Sequence, residues 1–204
     1  MKKVFLVFAL AAGMTAVKAQ DAKPVSFGVK AGLNLANIES KNDDESESGD
    51  MKFGFHVGGF ARFALSQSIM FSPELLFSTQ GSRDEDEEFD IKSVLKLNYI
   101  QLPLMLQYQT ASGFYAEVGP GFGFLMGAKS KFELGDEEEE EDVKEFFSGL
   151  DINGNIGVGF NLANGLGFGA RFSKGFSNII HEDYREDGEK ATNSVFQISL
   201  KKSF

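Results

Sequence analysis

Six ionisable side chains stand in segments that otherwise alternate apolar with small residues: Lys30, Arg62, Glu74, Glu117, Arg171 and Lys201. Each lies three to five residues from the same end of its segment. Four cations and two anions at one height predict a paired network, because a lone buried charge is costly. His56 falls on the same face, and His181 is the only other histidine. A serine, a histidine and an orienting group perform acyl transfer when they meet. Ser72 and Ser78 reach His56 only if strand register brings them there. The expectation is a histidine held by polar neighbours, with no catalytic residue. Two rival readings stay open, a gated ion path through the charge layer and a lipid-modifying enzyme.

The remaining acids are segregated. Twenty-six of the thirty lie in four stretches, 39–50, 84–90, 133–145 and 182–189. Only Asp21, Glu74, Glu117 and Asp151 lie elsewhere, with Asp151 expected near the external rim. The basic residues beside the clusters are Lys41, Arg83, Lys92, Lys129, Lys131, Lys144, Arg185 and Lys190, which leaves about −18 on one rim. That is a large single-sign field. Oxygen-rich clusters suit Ca²⁺ or Mg²⁺. Asp43-Asp-Glu-Ser-Glu47 lacks the EF-hand spacing and its turn glycine, so no metal site and no cofactor are expected. Weak Ca²⁺ or Mg²⁺ association with the loops, bridging to lipid-A phosphates and a basic protein partner stay open. The run at 136–142 reads as a solvated charge run.

Between the clusters the period is two, the signature of strands. Phe27, Val29, Ala31, Leu33 and Leu35 share a face opposite Lys30 and Asn34. Phe53, Phe55, Val57, Ala61 and Phe63 oppose His56 and Arg62, and Ile69, Phe71, Leu75 and Phe77 oppose Ser72, Glu74, Ser78 and Gln80. Ile100, Leu102, Leu104 and Leu106 oppose Tyr99, Gln101 and Gln107; Leu95 and Leu97 take the other parity, which predicts a bulge near Asn98. Phe114, Ala116, Val118, Phe122 and Phe124 oppose Tyr115 and Glu117. Ile152, Ile156, Val158 and Phe160 oppose Asn153 and Asn155, and Leu166, Phe168, Ala170 and Phe172 oppose Arg171. Phe196, Ile198 and Leu200, ending on Phe204, oppose Gln197, Ser199 and Lys201. Short polar turns alternate with the long acidic stretches. Eight strands with short turns on one side and long loops on the other predict an all-β fold, an eight-stranded antiparallel up-and-down transmembrane β-barrel.

Magnitude decides which face meets lipid. With the polar face outward, Lys30, Arg62 and Arg171 would enter hydrocarbon at roughly 2–4 kcal/mol each. That sum rivals a domain's whole stability of about 5–15 kcal/mol. The apolar face therefore points out, and the small residues fit a narrow interior. A soluble lipocalin-like barrel is the alternative, but its exterior would be this glycine-rich face.

The ends agree with export. Met1-Lys2-Lys3 precedes an apolar stretch at 4–17 and a small-residue cleavage pattern, Val17-Lys18-Ala19. This predicts a signal peptide at 1–19, cleaved after Ala19, and a barrel domain at 20–204. Removing Lys2, Lys3 and Lys18 takes the formal charge from −10 to −13. A net-acidic exported chain is a poor nucleic-acid binder. With no cysteine there is no disulfide and no thiolate metal site.

Three segments, Gly28-Val-Lys-Ala-Gly-Leu-Asn-Leu-Ala-Asn37, Asn98-Tyr-Ile-Gln-Leu-Pro-Leu-Met105 and Glu117-Val-Gly-Pro-Gly-Phe-Gly123, occur in that order. They resemble the PorT-type outer-membrane barrel family over nearly all of the mature chain. The resemblance implies an eight-stranded OmpA/OmpX-like barrel in the outer membrane of a Gram-negative cell. It also implies, for some members, a tie to secretion or gliding machinery. The ending Phe196-Gln-Ile-Ser-Leu-Lys-Lys-Ser-Phe204 resembles an outer-membrane assembly signal, carried by Phe196, Ile198, Leu200 and Phe204. The implied partners are outer-membrane lipid and lipopolysaccharide, the barrel assembly machinery, and a surface or secretion protein. The chain departs in having no Trp, with 22 Phe supplying the aromatic content. The function expected is a non-enzymatic structural or interaction role at the cell surface; a narrow channel or transport accessory is the alternative.

Overall fold

The computed structural model describes residues 25–42, 45–86, 91–134, 137–186 and 188–204. The expected signal peptide, Asp21 and part of every acidic stretch lie outside the described residues. Among the described residues ten strands follow one another: β1 Val25–Asn42, β2 Glu45–Ser48, β3 Asp50–Ala64, β4 Ile69–Asp86, β5 Ile91–Gln109, β6 Phe114–Leu134, β7 Glu137–Asp142, β8 Leu150–Asn161, β9 Leu166–Gly175 and β10 Lys190–Ser203. Eight of them form an antiparallel up-and-down ring, and β2 and β7 pair with β1 and β6 above it. The ring closes between β1 and β10, from Gly28 opposite Ser203 to Lys41 opposite Lys190. The short turns lie at one end, where Gly113 (φ 98°) and Gly165 (φ 82°) take the left-handed conformation that tight turns require.

The two faces follow the alternation. Phe27, Leu33, Phe53, Leu75, Val118, Ile156, Phe168, Ile198 and Leu200 are exposed on the outside. On β1 the outward apolar set runs from Val25 to Leu35. About eleven residues, at ~3.3 Å each and tilted by ~45°, cover the ~25 Å apolar band of an outer-membrane barrel. Cross-strand aromatic pairs reinforce that face, with Phe160 stacked on Phe168 at 6.1 Å and Phe63 beside Phe71 at 6.3 Å.

Leu95 and Leu97 correct one expectation. β5 keeps its parity, and Leu97 points inward with Tyr99, both fully buried. The register does slip at this height, from Asn98 opposite Gly127 to Tyr99 opposite Leu125. The extra residue belongs to β6, so Ala128 turns inward. Leu97 is not a displaced outward residue; it belongs to an apolar cap. Ile38, Leu97, Tyr99, Leu125, Ala128, Ile179 and Ala191 form this cluster, with Val143, Phe147 and Ile180 packed on it. Two connections fold over the mouth to complete it, joined by a bridge between Phe147 and Ile180. The amide of Ile179 donates to the carbonyl of Ala191 at 2.9 Å, which holds the buried side chain over the lumen.

The acidic run corrects another. Residues 137–142 are solvated as expected, with 138–142 exposed, but they form an edge strand rather than an irregular loop. β7 pairs with β6, and its alternate glutamates meet lysines: Glu140 takes Lys129 at 2.6 Å and Lys96 at 2.7 Å, and Glu138 takes Lys131 at 3.0 Å. Cross-strand opposite charges offset the low strand propensity of glutamate. The hydrogen bond from Lys129, then that from Lys96, lowers the Glu140 carboxyl from 4.5 to about 2. A depressed folded value means that the pairing supports β7 fully above about pH 4.5 and is lost as pH falls towards about 2. Protection factors of the β6–β7 amides, corrected for intrinsic exchange, should be flat above that window and fall within it. A midpoint at 4.5 for the Glu140 carboxyl would show that the lysines do not hold it.

Candidate functional site

The lumen is filled in layers, and the layer nearest its middle is ionic. Lys30 on β1, Glu74 on β4, Glu117 on β6 and Arg171 on β9 point inward and are buried. The strands set them at one height because each stands a similar distance from the short-turn end. Arg171 grips Glu74 with both terminal nitrogens at 2.8 Å. Its Nε donates to Oε1 of Glu117 at 2.8 Å. Lys30 Nζ reaches Oε2 of Glu74 at 3.0 Å, and Gln107 donates to Oε2 of Glu117 at 2.7 Å. Both carboxylates are thus fully occupied. A buried ion pair persists only with such complete hydrogen bonding.

The structure does not place all four expected cations in this network. Arg62 and Lys201 make no ion pair among the described residues. Lys201 Nζ lies 3.7 Å from the centroid of the Tyr115 ring, and the Arg62 guanidinium lies 5.6 Å from that of Phe60. Both rings face inward at the short-turn end, where Gly159 and Gly169 leave the space that Tyr115 fills. Phe60 and Leu76, which the sequence reading assigned to neither face, are both buried on the inward parity of their strands.

Above the ionic layer lies a network of amides and hydroxyls around His56. Asn34 Nδ2 donates to the carbonyls of Phe55 at 3.0 Å and Thr79 at 2.9 Å. That orients the amide so that its Oδ1 accepts from His56 Nδ1 at 2.7 Å. With Nδ1 carrying the proton, Nε2 accepts from Ser199 Oγ at 2.9 Å. Neither Ser72 nor Ser78 is that partner; Ser78 bonds Asn34 instead. Ser199 meets His56 because β10 and β3 flank β1, with Ser199 and His56 both opposite Gly32.

Ser199, His56 and Asn34 therefore stand in the order and tautomer of a nucleophile, base and orienting group. The surroundings do not suit catalysis. His56 is 1% exposed, Asn34 0% and Ser199 5%. A Cβ on Gly32 would lie 2.6 Å from the His56 ring, so no substrate space adjoins it there. The Asn34 oxygen also accepts from Gln197 at 3.1 Å. The same pattern continues outward: Asp151 stands at the loop end of β8, as expected, but is buried there and accepts from Asn193 at 3.3 Å and Ser177 at 3.2 Å. His181 lies in the last loop against Asp183 at 3.5 Å, away from His56. Among the described residues no cluster of His, Asp or Glu has metal-binding geometry.

The sequence profile described as outer membrane protein beta-barrel domain matches residues 18–181. Among solved structures, Neisserial surface protein A is similar at a TM-score of 0.53 and 12% identity, over 89% of this chain and 100% of that one. Ail, the attachment invasion locus protein of Yersinia pestis, gives 0.45 and 15%, over 86% and 97%. The outer membrane protein OprG from Pseudomonas aeruginosa gives 0.42 and 15%, over 92% and 99%. No curated protein matches the sequence.

Two measurements test the lumen. Glu74→Gln should destabilise the barrel by about 3–5 kcal/mol in urea titrations, because it leaves Lys30 without a counter-charge and Arg171 with Glu117 alone. The double change Lys30→Met with Glu74→Met should cost less than the single one; an equal or larger cost would show that the ion pairs are not what Glu74 contributes. A fluorophosphonate probe should leave Ser199 unlabelled in the folded barrel, and labelling there would reveal an accessible nucleophile.

Proposed function

The chain belongs to the outer membrane protein beta-barrel domain family and lies in the bacterial outer membrane, and from that premise we propose a non-enzymatic role in interactions at the cell surface. The observation that carries this reading is the double closure of the lumen. An apolar cap seals the loop end, and the Arg171 ion pairs cross the middle. A conducting path would have to break both, and eight strands leave an interior only wide enough for side chains. The part left for contact is the sheet above the ring, where β4, β5 and β6 continue to Asp86, Ile91 and Leu134 and carry β7. Glu139 and Glu141 alternate with the lysine-paired glutamates and are exposed to solvent. We read this acidic surface as the element that meets lipopolysaccharide, weakly held Ca²⁺ or Mg²⁺, or a basic surface protein.

Within the family, the three motifs at 28–37, 98–105 and 117–123 support the PorT-type group, with a link to secretion machinery as the corresponding partner class. Phe196, Ile198, Leu200 and Phe204 are exposed on the outer face of β10 and its end, as an assembly signal read by the barrel assembly machinery requires. The narrow channel is the competing function, and conductance separates the two. Purified barrel in planar bilayers should give no stable current steps, while a photo-crosslinker at position 139 in intact cells should capture a surface component. Stable steps that disappear in Glu74→Gln would replace this reading with the channel.

A further inference from the structure

On the outer face of the ring one row of side chains dips in its middle. Tyr108 on β5 faces Ala116 on β6, and Ala116 faces Val158 on β8. Val158 faces Ala170 on β9, which faces Ile198 on β10. The flanking rows are bulky, with Phe114, Phe160 and Phe168 on the short-turn side and Leu106, Val118 and Ile156 on the loop side. Two hollows of about 410 Å³ each result, one at Ala116 and one at Ala170. Val158 borders both, so they form one groove, and Gly157, Gly159 and Gly169 make its floor bare backbone.

The groove is oblique. Tyr108 stands one residue from the short-turn end of β5, Ala116 two from that of β6 and Val158 three from that of β8. Ala170 stands four from that of β9 and Ile198 five from that of β10. Short turns are periplasmic, so the groove starts at the periplasmic rim and climbs into the apolar band. Four steps between strands, at about 4.8 Å each, make it ~19 Å long. One leaflet supplies about 15 Å of hydrocarbon, half of the ~30 Å core. Length and direction are those of a single acyl chain lying along the wall.

We propose that this groove seats an acyl chain of a phospholipid from the periplasmic leaflet. A chain against a flat wall is touched on one side. A chain in the groove meets a floor and two walls, which multiplies its dispersion contacts. Water does not compete, because apolar hollows stay dry. Tyr108 is 58% exposed and stands at the mouth, where tyrosine rings sit at headgroup level. Of the lining residues only Glu117 is charged, and its carboxylate points into the lumen against Arg171 and Gln107. Recognition therefore rests on the chain and not on the headgroup charge.

The test extracts the folded barrel from vesicles of phosphatidylethanolamine and phosphatidylglycerol into mild detergent for native mass spectrometry. Folding is checked by heat-dependent mobility in SDS gels. A phospholipid of either headgroup should remain bound. Ala170→Phe and Ala116→Phe fill the groove and should each lower the lipid-bound fraction at least tenfold. Ala170→Leu serves where either does not fold. Ala61→Phe, on the outer face of β3 and away from the groove, should leave the fraction unchanged. Absence of a retained phospholipid overturns the proposal, as does retention indifferent to filling the groove. A barrel dimer that the same substitutions abolish would also overturn it, because a second copy would then be the occupant. Retention of one headgroup alone would overturn recognition by the chain.

Discussion

The pairing of β1 with β10 is the constraint from which the rest follows. Hydrocarbon offers no partner to a backbone N–H or C=O, so a spanning sheet must have no edge. The seam meets that demand from Gly28 to Lys41, over the whole membrane thickness and beyond. Closure at eight strands then dictates the interior. A lumen this narrow admits side chains and little else, so every inward polar group must find its partner among the others. Arg171 shows how fully that is met, with two carboxylates from two other strands on a single guanidinium. The seam also brings β10 next to β1, so Ser199, near the end of the chain, reaches His56 across Gly32.

The order of the layers gives the barrel a polarity along its axis. Cations over aromatic rings occupy the short-turn end, the ion pairs and amides come next, and apolar side chains close the loop end. The loop-end cap excludes water from the polar layers, and a lower local dielectric strengthens those interactions. The same exclusion makes an unpaired donor such as Arg62 expensive.

Much of this was legible in the sequence because the side-chain period of a strand is strictly two. Lys30, Glu74, Glu117 and Arg171 declared their face and their height through their neighbours alone. What escaped depends on contacts between distant segments. Leu97 looked out of phase because nothing local indicates that Ile179, more than eighty positions later, descends onto it. The partner of His56 depended on register at the seam, and Arg62 and Lys201 looked like members of the network until Arg171 proved to occupy both carboxylates. The run at 137–142 misled for the opposite reason. Its composition argues against a strand, and only the lysines on β5 and β6 reverse that.

The sheet that rises past the ring has a property the ring itself lacks. Once β6 leaves the barrel, β7 becomes its neighbour and ends the sheet in water, with the far side of β7 unpaired among the described residues. An open strand invites a second copy to add itself, and crowding in a membrane plane brings copies close. Glutamates along β7 turn that invitation into repulsion, since an identical strand arriving in register would set like charges side by side. The acidic run thereby keeps neighbouring barrels from zipping into a continuous extracellular sheet.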